Sequence, residues 1–158
     1  MKMIIKKSLL IFSLLFLYNC GFKVVDNSNT NDFKIKEIKV IGDKRINYKI
    51  KNYLLLNTAK ENKKVLLINL NTKKNKNIKE KNIKNQVTKY EMSINTSIKL
   101  HLLDSGKKAS INLSVTGEYS VASNYSSTRN NEKKLVDSLA GELSKNILNE
   151  INLKINDF

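Results

Sequence analysis

Proline is absent from this 158-residue chain, histidine and cysteine occur once each, and glycine occurs five times. A single cysteine, Cys20, leaves no internal disulfide. A single histidine, His101, with no second imidazole and no thiol beside it, leaves a transition-metal site without a ligand set. The scattered glycines form no phosphate-cradling loop. Acids are scarce, 14 Asp and Glu against 29 Lys and Arg, and they never pair at helical spacing on one face. A paired-carboxylate acid–base site therefore has no candidate, and no nucleophile stands with a base. The chain does not read as an enzyme, and no metal or cofactor is implied. Beyond the first twenty residues no apolar run approaches the roughly 20 residues that cross a bilayer. Scarce Arg, missing Pro and abundant Lys and Asn fit the codon bias of an AT-rich genome. That bias does not account for the shortage of acids.

What is present begins at the N-terminus. Lys2, Lys6 and Lys7 precede an apolar run from Ser8 to Tyr18, which stops at Cys20. A basic start and a short apolar core define an export signal. Leu17-Tyr18-Asn19-Cys20 resembles a bacterial lipobox, in which the thiol takes a diacylglycerol and the signal is cut just before it. Asn19 stands where Gly, Ala or Ser is usual. The other reading is an ordinary signal cut nearby, leaving a free thiol. The position of Cys20 at the end of the run, with no competing cysteine, favours lipidation. Two or three acyl chains anchor stably, at about 0.8 kcal/mol per buried methylene. Gly21, in place of an Asp after the cysteine, points by analogy to outer-membrane sorting. The expected organisation is a lipoprotein signal peptide at 1–19, a lipidated N-terminus and tether at 20–32, and a single domain at 33–158. Membrane attachment is then through lipid on the periplasmic side.

The charge points to an anionic partner. Three lysines and no acids leave with residues 1–19, so the surplus falls from fifteen to twelve. An exported, lipidated chain does not meet nucleic acid. A phosphate-bearing lipid or glycolipid is the polyanion its compartment offers.

Within the domain, alternation with a phase slip predicts a strand over 34–41, broken by Gly42, with Asp43 as an N-cap. Ile46, Ile50, Tyr53, Leu54 and Asn57 predict an amphipathic helix over 44–60. A short apolar run predicts a strand over 64–71, parallel to the first. Residues 71–85 carry Lys73, Lys74, Lys76, Lys79, Lys81 and Lys84 against one acid, Glu80. They read as a mobile, solvated loop or as a basic lip. Tyr90 to Leu102 and Ala109 to Val121 alternate strictly around Asp104-Ser105-Gly106-Lys107, the pattern of a long antiparallel hairpin. Gly117 in its second strand implies a bulge or a close backbone approach. A polar loop is expected over 123–130. A closing helix, capped by Asn130 or Asn131, carries the stripe Leu135, Val136, Leu139, Ala140, Leu143, Ile147 and Ile151. The fold class that follows is α+β: a two-layer sandwich in which two helices pack on one face of a four-stranded mixed sheet, in the order β-α-β-β-β-α. The other sheet face is rich in Ser, Thr, Asn and Lys. It is either plain solvent surface or a docking surface for something hydrophilic.

The order of these features resembles the lipopolysaccharide-assembly lipoproteins, the LptE-like family. The resemblance rests on Cys20-Gly21-Phe22, the strand-helix-strand unit and the strand end and turn at Leu100 to Asp104. It continues through Val115-x-Gly117-x-Tyr119, Ser123-Asn124-Tyr125-Ser126 and the closing helix with Asp137 and Leu139-Ala140. Lys23-Val24-Val25 stands where the family often has a Pro-Leu-Tyr-like segment. The resemblance implies a plug and partner of the large outer-membrane β-barrel that inserts lipopolysaccharide into the outer leaflet, with affinity for lipopolysaccharide itself. Lys107 and Lys108 at the hairpin tip, with Lys99 next, are the expected ligand contacts; the bland reading is a solvated turn. The rival class is a free-standing periplasmic-facing lipoprotein that scaffolds envelope complexes or binds a small ligand.

Overall fold

The computed structural model describes residues 33–59 and 64–157. The signal peptide, Cys20 and the tether expected at 20–32 lie outside the described residues. The elements run β1 (Phe33–Gly42), α1 (Lys44–Leu56), β2 (Lys64–Lys81), β3 (Val87–Leu102), β4 (Lys108–Ser120) and α2 (Tyr125–Asn156). They form one four-stranded sheet in the order β1-β2-β3-β4, with β1 parallel to β2 and the other pairs antiparallel. This is the expected two-layer α+β sandwich with a mixed sheet.

The local chemistry explains the elements. The phase slip in β1 is a register shift between Ile35 and Glu37, which returns Ile38 to the buried face after Phe33 and Ile35. Gly42 ends the strand at a φ of +103°, and a Cβ there would lie 1.9 Å from the Thr72 carbonyl oxygen. Asp43 caps α1: its carboxylate accepts the amides of Arg45 and Ile46, each at 3.0 Å. Ile46, Ile50 and Leu54 then enter the core with no exposure at all. The core closes over Leu66, Ile68, Leu70, Met92, Ile94, Ile98 and Leu100 from the sheet, and Leu143, Ile147 and Ile151 from α2.

Three expectations are corrected. The basic stretch at 71–85 is no loop: β2 continues to Lys81 and turns back through 82–86 into β3. Three of its six lysines meet acids from elsewhere. Lys74 reaches Asp43 at 3.6 Å, Lys76 reaches Glu132 at 2.8 Å, and Lys79 reaches Glu91 and Glu118 at 3.3 and 3.4 Å. The polar loop at 123–130 is mostly helix. Asn124 caps α2, its side chain accepting the Ser127 amide at 2.7 Å, so Asn130 and Asn131 lie inside the helix. Helix α1 ends at Leu56, short of 60, where the Asn57 amide bonds back to the Leu54 carbonyl. Gly117 marks a close approach and no bulge. The β3–β4 register is unbroken there, and a Cβ would sit 2.7 Å from a Leu135 methyl of α2.

Candidate functional site

The helices cover one sheet face and leave the other open. Register fixes what that face presents. Successive rows across β2, β3 and β4 read Asn69–Lys99–Ser110, Asn71–Ser97–Asn112, Lys73–Asn95–Ser114 and Asn75–Ser93–Thr116. Lys39 of β1 extends the first row beside Asn69. Most of these side chains are short and neutral, so the face is hydrophilic and nearly flat. A Ser114 hydroxyl donates to the Asn95 side-chain oxygen at 2.7 Å, tying β4 to β3 across the middle. A shallow depression of about 300 Å³ lies over Asn71, Lys73, Asn95, Ser97 and Asn112.

At the end nearer the β3–β4 turn a second open depression, of about 520 Å³, is lined by Asn69, Lys99, His101, Lys108 and Ser110. Two of the three lysines expected to bind ligand therefore stand together. Lys99 faces Ser110, and Lys108 faces His101 on the next row. Lys107 is exposed in the turn itself, where its amide donates to the Ser105 hydroxyl and its carbonyl accepts the Leu102 amide. At the opposite end, near the β2–β3 turn, lysines and acids pair. Lys79 bridges Glu91 and Glu118, and Lys89 bridges Glu80 and Glu118. The open face is thus basic at one end, uncharged in the middle apart from Lys73, and ion-paired at the other.

A cluster that sequence reasoning did not find sits on the covered side of β2. The Lys76 ammonium lies 4.2 Å from the centroid of the Tyr90 ring and 5.3 Å from that of Tyr119, and the two rings stack at 5.5 Å. The Tyr119 hydroxyl donates to Glu132 at 2.8 Å, and Lys76 bonds to the same carboxylate oxygen. Burial pulls the Lys76 ammonium down, but its bonds to Glu132 and Tyr119 outweigh this, and it is pushed up to about 12. The Lys76 bond holds Glu132 below its ordinary value in spite of burial. Burial raises Tyr119, helped by the carboxylate and opposed by Lys76. The cluster staples the start of α2 to the sheet. No sequence signal links residues this far apart.

Among the described residues no group of His, Cys, Asp and Glu could hold a metal ion. Among them, too, no helix is long and apolar enough to cross a membrane.

No family model matches the chain, and no curated protein matches it by sequence. Solved structures do match. Rare lipoprotein B from Shewanella oneidensis superposes with a TM-score of 0.60 at 13% identity, over 76% of this chain and 97% of that one. The uncharacterized lipoprotein B from Nitrosomonas europaea gives 0.58 at 11% identity, over 80% and 88%. At such identities the likeness carries the fold alone: the chain has the fold of the rare lipoprotein B group, in keeping with its sequence resemblance to the LptE-like lipoproteins.

Proposed function

We propose that this chain is an outer-membrane lipoprotein, anchored through Cys20 on the periplasmic side, that plugs and supports the barrel translocon for lipopolysaccharide and binds lipopolysaccharide. The observation that carries the reading is the open sheet face. A domain seated in a large barrel meets a polar lumen. The face offers Asn, Ser and Thr, which lose less rotamer freedom on being covered than the Lys and Glu of an ordinary solvated sheet. The lysines at its basic end, Lys99 and Lys108, with Lys107 in the adjoining turn, supply point charges for lipid phosphates.

The test is an affinity pull-down of the full-length tagged lipoprotein from detergent-solubilised envelopes, with mass spectrometry of what accompanies it. A stoichiometric large β-barrel is expected. Ser97→Arg, at the exposed centre of the face, is expected to abolish that association while leaving the melting temperature unchanged. A wild-type chain recovered without a barrel would move the assignment to a free-standing lipoprotein. Retention of the barrel by Ser97→Arg would show that another surface makes the contact.

A further inference from the structure

His101 is the one histidine of the chain, and neither the fold nor the lysine contacts account for it. It lines the same depression of the open face as Lys99 and Lys108. Register sets its place. Lys108 stands directly across from it on β4. The next pair toward the turn, Leu102 and Lys107, is hydrogen-bonded, so His101 and Lys108 form a non-bonded pair, whose side chains approach more closely. Cβ atoms of such a pair lie about 4.5–5.5 Å apart. Lys99 is two residues back on the same strand face, about 7 Å away. Among the described residues no side chain bonds to the imidazole, and no carboxylate meets either lysine.

The other strands and the turn bring little charge to the ring. On β2, Leu67 pairs with His101 and Asn69 with Lys99. On β1, Glu37 shares the row of Leu67, two strands and about 10 Å from His101, and it lies 3.9 Å from Lys39. In the turn, Asp104 accepts the Val65 amide at 2.9 Å, and Lys107 adds a further cation. A charged imidazole here faces two ammonium groups before it faces any carboxylate. The counter-charge that such a cluster lacks is an anion from outside the chain.

We propose that His101 is a third contact for phosphate at this site and engages it as the imidazolium, so that capture of a phosphate group brings one proton from solvent onto the ring. This role rests on the lipopolysaccharide-binding reading above and names the group recognised: a phosphate on the sugar headgroup. Each lysine gives a point charge. The imidazolium adds N–H donors from both ring nitrogens. Histidine changes charge between pH 5 and 8, so affinity rises as pH falls through that range.

The test is calorimetric titration of the full-length lipoprotein in detergent, carrying a tag free of histidine, with lipopolysaccharide micelles. It is run at pH 5.5 and 8, in buffers of different ionisation enthalpy so that proton uptake is counted. Wild type is expected to bind about tenfold tighter than His101→Gln at pH 5.5 and within about twofold of it at pH 8. Its proton uptake is expected to exceed that of His101→Gln, in which the phosphate still titrates but the ring is gone. His101→Lys, a permanent cation, is expected to bind at pH 8 as wild type does at pH 5.5. Dephosphorylated lipopolysaccharide is expected to remove the difference between wild type and His101→Gln. Equal affinities and proton counts for those two at both pH values would overturn the role of His101 and leave lipopolysaccharide binding standing. A difference that survives dephosphorylation would overturn it too. A wild-type chain that binds no lipopolysaccharide at either pH would overturn both.

Discussion

Two glycines show how position decides what a methyl group does. Gly42 sits at a φ of +103° with a backbone carbonyl 1.9 Å from where its Cβ would be, and a backbone atom cannot move aside cheaply. Gly42→Ala is expected to destabilise the domain by about 3 kcal/mol, read from the denaturant midpoint. Gly141 has nothing within 4 Å of its missing Cβ and lies inside α2. Gly141→Ala is expected to stabilise by about 0.5–1 kcal/mol in the same assay. The Lys76–Glu132 pair adds a pH signature. Glu132 is lower in the folded chain than its ordinary 4.5, so its contribution is present above that value and is lost as pH falls through the depressed one. Lys76 is higher than its ordinary 10.5, so its contribution is present below that value and fades as pH rises through about 12. Glu132→Gln is expected to cost about 1 kcal/mol at pH 7, a modest figure because Lys76 is more than a third exposed. That difference is expected to shrink toward zero in acid, as followed by urea denaturation at a series of pH values.

At the scale of elements, helix α2 begins at Tyr125 because Asn124 takes the extended conformation and accepts the Ser127 amide. Asn124→Ala is expected to cost about 1 kcal/mol and to speed amide exchange over 125–131, with the apolar part of the helix unaffected. That cap also shows what the sequence could and could not disclose. The hairpin of β3 and β4, the stripe of α2, the Asp43 cap and the slip in β1 were legible because each is a local pattern of period 2 or 3.6, or a single capping residue. The far half of β2 was not. Its lysines form no apolar alternation, and like charges in a row read as a solvated loop. What makes it a strand is non-local: β3 needs a ladder partner along its whole length, and Asp43, Glu91, Glu118 and Glu132 arrive from four other places to meet the lysines. The first turns of α2 were missed for a related reason. Ser, Asn and Thr at 126–131 have turn chemistry by themselves, and here the Asn124 cap together with contacts from Thr128 to Ala122 and from Asn131 to Ser120 turns that chemistry into a helix start. The open face was legible as a pattern, while its division into a basic end, a centre whose one charge is Lys73, and an ion-paired end appears only when the three strands are laid in register.

Over the whole molecule the surplus of lysine is sorted by position, and that sorting makes a prediction about lipopolysaccharide. Near the β2–β3 turn, Lys79 and Lys89 spend their charge on carboxylates of the same chain: Lys79 on Glu91 and Glu118, Lys89 on Glu80 and Glu118. Lys99 and Lys108 have no such carboxylate among the described residues, and they share one depression close to the exposed turn that carries Lys107. An anionic glycolipid arriving at the open face therefore meets these two lysines together at one end of it. On the proposed function, the triple reversal Lys99→Glu, Lys107→Glu and Lys108→Glu is expected to weaken binding of the full-length chain to lipopolysaccharide micelles by about tenfold or more at low salt, and by less as salt is raised. Reversal of Lys79 removes a cation already paired within the sheet, so it is expected to change that affinity by less than about twofold while lowering stability slightly. An equal loss per reversed charge from both variants would mean that lipopolysaccharide senses only the net charge of the chain, and the assignment of Lys99, Lys107 and Lys108 as contacts would fall.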